Sequence, residues 1–154
     1  MPMLGSILLL SLLIQAGSFS LPMNSVLNAE EKLKIEKETN PNNRIKIYRQ
    51  AAERIQESIQ QAVSEEDYQS VPDNLKRWTS LLSESLNDIE SNLNSKKKSK
   101  NLIAYEIHVR KAISSVRSYK IGAPTEQQDV FDSCLEQAEK IRKKFVAILF
   151  PGNP

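Results

Sequence analysis

Residues 43–63, NRIKIYRQAAERIQESIQQAV, set Ile45, Tyr48, Ala52, Ile55, Ile59 and Ala62 at successive steps of three, four, three, four and three. That spacing keeps all six side chains on one stripe of an α-helix. Arg44, Lys46, Arg49, Glu53, Arg54 and Glu57 fall between them and are expected to face water. A dry stripe exposed to solvent gains nothing, so a ligand or other parts of the chain must cover it. The rest of the sequence supplies the second kind of cover.

Upstream, SVLNAEEKLKIEKET reads as a shorter helix capped by Ser25 or Asn28, with Glu31 three residues beyond Asn28 in capping-box spacing. Asn40-Pro41 ends it. Downstream, SEEDYQSVPDNL breaks the pattern, and a further helix starts near Ser70 with Pro72 in its first turn. Its stripe is Val71, Leu75, Trp78, Leu82, Leu86, Ile89 and Leu93. NSKKKSKN has no apolar anchor and reads as an exposed connection. Leu102, Tyr105, Val109, Ala112, Val116 and Tyr119 resume the helical step, and Gly122 with Pro124 terminates it. Thr125 and Gln128 have capping-box spacing ahead of a last stripe, Phe131, Cys134, Ala138, Ile141, Phe145 and Ile148, closed by Pro151. Acids early and Arg142, Lys143 and Lys144 late suit that helix's dipole.

Stripes of this period, joined by short links, predict an all-α fold: an up-and-down antiparallel bundle of about four long helices plus a shorter N-terminal helix. The expected organisation is a signal peptide over 1–20, an N-terminal helix and link over 21–42, a bundle domain over 43–150 and a tail over 151–154. In this arrangement the stripes cover each other.

The first 29 residues carry no charged side chain, and the apolar run from Ile7 to Ile14 is followed by small residues, as in a secretory signal, although no Lys or Arg precedes the run. Cleavage after Ser18 or Ser20 fits, with an uncleaved N-terminal anchor as the alternative. The run is too short to span a bilayer, which takes about 20 apolar residues, so no stable transmembrane anchor is expected. Cys134 is the only cysteine, so no internal disulfide can form and the core alone must hold the domain. Exported without disulfides, the chain is expected in a bacterial periplasm or secreted. The net charge of +2, from 21 basic and 19 acidic residues, gives no strong overall pull toward nucleic acid or an anionic membrane, and no nucleic-acid partner is expected.

Chemistry that helical bundles often house is not encoded here. A di-iron bundle needs paired Glu-x-x-His motifs, but His108 is the one histidine and has no glutamate three residues before it. Covalent haem attachment, a glycine-rich phosphate loop, a nucleophile elbow and HEXXH are likewise missing from the sequence. No catalytic residue, cofactor or metal is therefore expected. His108 reads as a boundary histidine bonded at the surface, Cys134 as a small core hydrophobe and Trp78 as a core anchor. Lys96, Lys97, Lys98 and Lys100 read as a solvated run, with an anionic headgroup, phosphate or acidic partner as the alternative. A gap around Trp78, Tyr105 and Tyr119 would admit an apolar small molecule or lipid.

Two patches, KETNPNNRIKIYRQAAERI and NLIAYEIHVRKAISSV with the closing EQAEKIRKKFVAILF, resemble an unnamed group of exported bacterial proteins, seen mainly in acidobacteria. The matching residues are Lys37 to Pro41 with Arg44, and Tyr105 to Ile107 with Arg110. Asn40 stands where that group has Asp, and Tyr105 where it has Leu. The resemblance implies export and an all-α fold and carries no catalytic residue. The expected function is a non-enzymatic interaction or scaffold protein of the cell envelope, its partner an envelope protein or a second copy of itself as a homodimer; the alternative is a small-molecule or lipid-binding bundle.

Overall fold

A computed structural model describes residues 26–94 and 97–152; the stretch expected as a signal peptide and Lys96 lie outside the described residues. The described residues form an all-α bundle of five helices: α1 (Ala29–Lys37), α2 (Pro41–Ser64), α3 (Val71–Asn92), α4 (Lys100–Gly122) and α5 (Gln128–Leu149). A 3₁₀ turn, Thr125–Gln127, precedes α5.

Three of these helices start on a side-chain cap. Asn28 and Glu31 form the reciprocal capping box over α1, each backbone N–H bonded to the other's side chain at 2.8 Å. Asn40 accepts from the Asn42 N–H at 3.0 Å, with Pro41 at the first helical position of α2. Ser99 caps α4 through the Leu102 N–H at 3.0 Å. The capping box expected from Thr125 and Gln128 does not form. Residues 125–127 tighten into the 3₁₀ turn, and the Gln128 amide instead donates to the Lys120 and Ala123 carbonyls, tying α5 back to the end of α4.

The stripes are buried as expected. Ile45, Tyr48, Ala52, Ile55, Ile59 and Ala62 of α2 are all at most 5% exposed. Trp78, Tyr105, Phe131 and Phe145 are the largest fully buried side chains. Leu93, Tyr119 and Ile148, at the ends of their stripes, are only partly covered. Ala51, Leu81 and Ile113 join the core beside the stripes, which widens the dry faces of α2, α3 and α4.

Sequence-successive long helices are antiparallel, but the order around the bundle is α2, α3, α5, α4. The pair α2–α3 and the pair α4–α5 lie side by side, and the link between α3 and α4 crosses one end of the bundle diagonally. As a result α2 runs parallel to its neighbour α4, and α3 parallel to α5. One hydrogen bond spans the interior along the diagonal: the Ser85 hydroxyl on α3 and the Tyr105 hydroxyl on α4 lie 2.9 Å apart. The Tyr105 ring also packs at 5.1 Å and a 41° tilt on Phe145 of α5. A buried tyrosine hydroxyl needs such a partner, and Ser85 is small enough to admit it.

A helix of nine residues is not stable alone in water. Here α1 is held by burying Val26, Leu27 and Ile35 and by two arginines that the α2 pattern places outward. Arg54 grips both carboxylate oxygens of Glu31 at 2.8 Å and donates to the Val26 carbonyl. Arg44 donates to the Ile35 and Glu38 carbonyls at the end of α1 and to Asp88 of α3 at 2.8 Å. These side chains are half-buried clamps, a correction to their reading as a wet face.

Candidate functional site

The topology sorts the turns between two ends. At one end, the α2–α3 turn meets the α4–α5 turn. The Tyr68 hydroxyl donates to the Gly122 carbonyl at 3.3 Å, and the Gln127 amide donates to the Tyr68 carbonyl. Glu65, Glu66, Asp67, Asp73, Glu126 and Asp129 are exposed there, beside an open hollow of about 620 Å³.

At the other end, the diagonal link passes beside the start of α2. Ser99 donates to the Asn42 side chain, and Asn101 donates to the Asn42 carbonyl at 2.8 Å. A cleft of about 400 Å³ lies between them, lined by Asn40, Asn42, Asn92, Asn94, Lys97 and Lys98 among others. Lys97, Lys98 and Lys100 are exposed, and Lys37, Lys143 and Lys144 are exposed on the neighbouring helix ends. Phe150, 44% exposed, stands at the same end with the Lys98 ammonium 4.8 Å from its ring centre. The chain is nearly neutral overall, yet folding leaves an excess of lysines at one end, beside the exposed Glu36 and Glu90, and an excess of acids at the other, beside Lys120.

Helix dipoles account for only part of this: Asp129 early and Lys143 and Lys144 late suit α5. Each end carries two N-termini and two C-termini of the long helices, so their partial charges largely cancel. The lysine run does follow the C-terminus of α3, where positive charge is favoured. It also leads directly into the N-terminus of α4, where it is disfavoured, and α4 has no acid in its first turn. Like charges gathered at one end repel one another.

The residues expected around a ligand gap are placed otherwise. Trp78 and Tyr105 are fully buried in the packed core. Tyr119 is half-buried fourteen residues further along α4, about 21 Å from Tyr105 at 1.5 Å per residue. One compact molecule cannot touch both tyrosines, and none of the three residues lines the clefts described here. An open furrow does run between α3 and α5. It holds hollows of about 230 Å³ and 380 Å³, floored by Leu75, Thr79, Leu86, Cys134 and Ile141.

Chemically active groups are subdued by their surroundings. Burial pushes the Cys134 thiol up to about 12, which disfavours the thiolate needed for nucleophilic or redox work. Burial, with the Arg49 guanidinium nearby, lowers His108 to about 4. The His108 Nε2 and the Arg49 Nε are enclosed with no hydrogen-bond partner among the described residues, which corrects the expectation of a surface-bonded histidine. Burial raises Tyr105 and Tyr48, the latter also through the nearby Asp88 and Glu84 carboxylates. No group of three or more His, Cys, Asp or Glu suited to hold a metal occurs among the described residues.

No family model matches the chain, and neither a curated protein nor a solved structure is significantly similar to it. No described helix is long and apolar enough to cross a membrane.

The sequence reading missed Phe150 and the partnership of Asn42 with Ser99. Both depend on which chain ends meet, and the helical periodicity is silent on that.

Proposed function

We propose that this chain is an exported, non-enzymatic interaction or scaffold protein of the bacterial cell envelope, and that its charged ends are the contact surfaces. The observation that carries the reading is the segregation of charge. Lysines from the α3–α4 link and the start of α4 meet Lys37 at one end of the bundle, where like charges repel one another. The interior supports the same reading, because Trp78 and Tyr105 are fully buried in packing and Tyr105 is bonded to Ser85.

The test is capture of partners from an envelope extract on the immobilised chain beginning at Leu21. A reproducible partner that is lost when Lys97, Lys98, Lys143 and Lys144 are changed to Glu, or when Glu65, Glu66 and Asp67 are changed to Lys, supports the reading. Repeated recovery of nothing, or of partners indifferent to both sets of changes, contradicts it. A second reading, binding of an apolar small molecule or lipid, is favoured by the α3–α5 furrow and moves from the expected aromatic gap to that place.

A further inference from the structure

We infer that the basic end of the bundle docks on an anionic phospholipid surface, with Phe150 entering the headgroup layer. The inference rests on the envelope reading above for its setting and on the geometry of this one end for its chemistry.

Three features of that end point the same way. First, Lys97, Lys98 and Lys100 on the link and α4 share an end with Lys37 on α1 and with Lys143 and Lys144 on α5. Lys143 and Lys144 stand one to two turns before the end of α5 and line the α3–α5 furrow, so they carry the positive charge of this end onto that flank. None of Lys97, Lys98, Lys100, Lys143 and Lys144 has an ion-pair partner among the described residues. Lysines near an anionic leaflet each add to surface attraction, and several together hold a peripheral protein.

Second, Phe150 at the end of α5 is 44% exposed, with the Lys98 ammonium against its ring. An exposed aromatic ring beside lysines suits the interface of a bilayer, where the ring sits at headgroup depth and the lysines reach phosphates. A soluble polyanion would use the lysines and have no use for the ring. Third, Lys97 and Lys98 also line the cleft beside the link, which gives a headgroup phosphate a recess to enter. The opposite end carries the contrary charge, so an anionic surface would repel it. Orientation follows from the same charges that supply attraction.

The test is co-sedimentation of the chain beginning at Leu21 with vesicles of mixed phosphatidylglycerol and phosphatidylcholine, and with vesicles of phosphatidylcholine alone. Every core residue among the described residues lies beyond Leu21, so this chain retains all of them. Binding to the mixed vesicles only, weakened by added salt, is the expected result. Changing Lys97, Lys98, Lys143 and Lys144 together to Glu should weaken it by at least about tenfold. Phe150→Ser should weaken it by about fivefold. Ile121→Ser serves as the control, because Ile121 is an 88% exposed apolar side chain at the acidic end, and it should leave binding unchanged. Helix content and Trp78 emission equal to those of the parent chain establish that each variant is folded.

Failure to bind the mixed vesicles overturns the inference. So does binding that is as tight to phosphatidylcholine alone. If Phe150→Ser binds like the parent and soluble polyphosphate competes fully, the end recognises a polyanion and the membrane inference is overturned. Loss of vesicle binding with retention of a captured protein partner would leave the interaction reading intact and remove this one; the reverse result would do the opposite.

Discussion

At the scale of single residues, burial decides chemistry. His108 was legible as a boundary residue from its place beside Val109, but the sequence could not show that Arg49 of α2 would stand next to it, because that needs α2 and α4 to be neighbours. The consequence is a pH dependence with a definite sign. The folded-state pKa, about 4, lies below the ordinary value of 6.5, so the unfolded chain takes up a proton first as pH falls. The stability from neutral His108 is fully present above about pH 6.5 and is lost as pH falls toward 4, by on the order of 3 kcal/mol at most. Glu31 and Glu139, held low by their arginine partners, add losses only below the ordinary carboxylate range, while Glu84, raised chiefly by burial, acts in the opposite direction near it. Urea unfolding at steps between pH 7 and pH 5 should therefore show a decline that disappears in His108→Gln. An equal decline in that variant would show that His108 is not its source. Cys134 illustrates the easier case. Its place on the α5 stripe announced a buried thiol, and it is 5% exposed.

At the scale of helices, most boundaries could be read because their causes are local: Asn28 with Glu31, Asn40 with Pro41, and Pro72 after Ser70 are sequence neighbours. Two features escaped because they join parts of the chain far apart. Arg44 and Arg54 fit the outward face of α2 by periodicity, and only the docking of α1 turns them into clamps. Gln128 fits a capping box by spacing, and only the return of α5 toward Lys120 gives its amide other acceptors. The end of α2 offers a local test. Its 6→1 closure, from the Asp67 N–H to the Ala62 carbonyl at 2.8 Å, requires a left-handed residue, and Glu66 occupies that place at φ 55°. A side chain other than glycine costs about 1 kcal/mol in that conformation. Glu66→Gly should raise unfolding stability by about 0.5–1 kcal/mol, measured by chemical denaturation. Glu66→Val, stiff at its branched carbon, should lower it. A loss of stability in Glu66→Gly would mean that the turn is not closed in this way.

At the scale of the whole molecule, the class of fold could be read from four dry stripes, since each had only the others to cover it. The order of the helices could not, because a link of seven residues, 93–99, is long enough to cross an end of the bundle or to join neighbours, and the periodicity is the same either way. That choice sets which helices run parallel and which turns share an end. It thereby converts a chain with a formal charge of +2 into a body with unlike ends, a property that neither composition nor motif spacing expresses. Both proposals above depend on this closure of the stripes upon one another. Trp78, the single tryptophan and fully buried, reports on it without any substitution. Its fluorescence should be blue-shifted and insensitive to acrylamide in the native chain, and should become red-shifted and quenchable in the same transition in which helical circular dichroism is lost. A tryptophan freely quenched by acrylamide while the helix signal is intact would contradict the packed bundle directly.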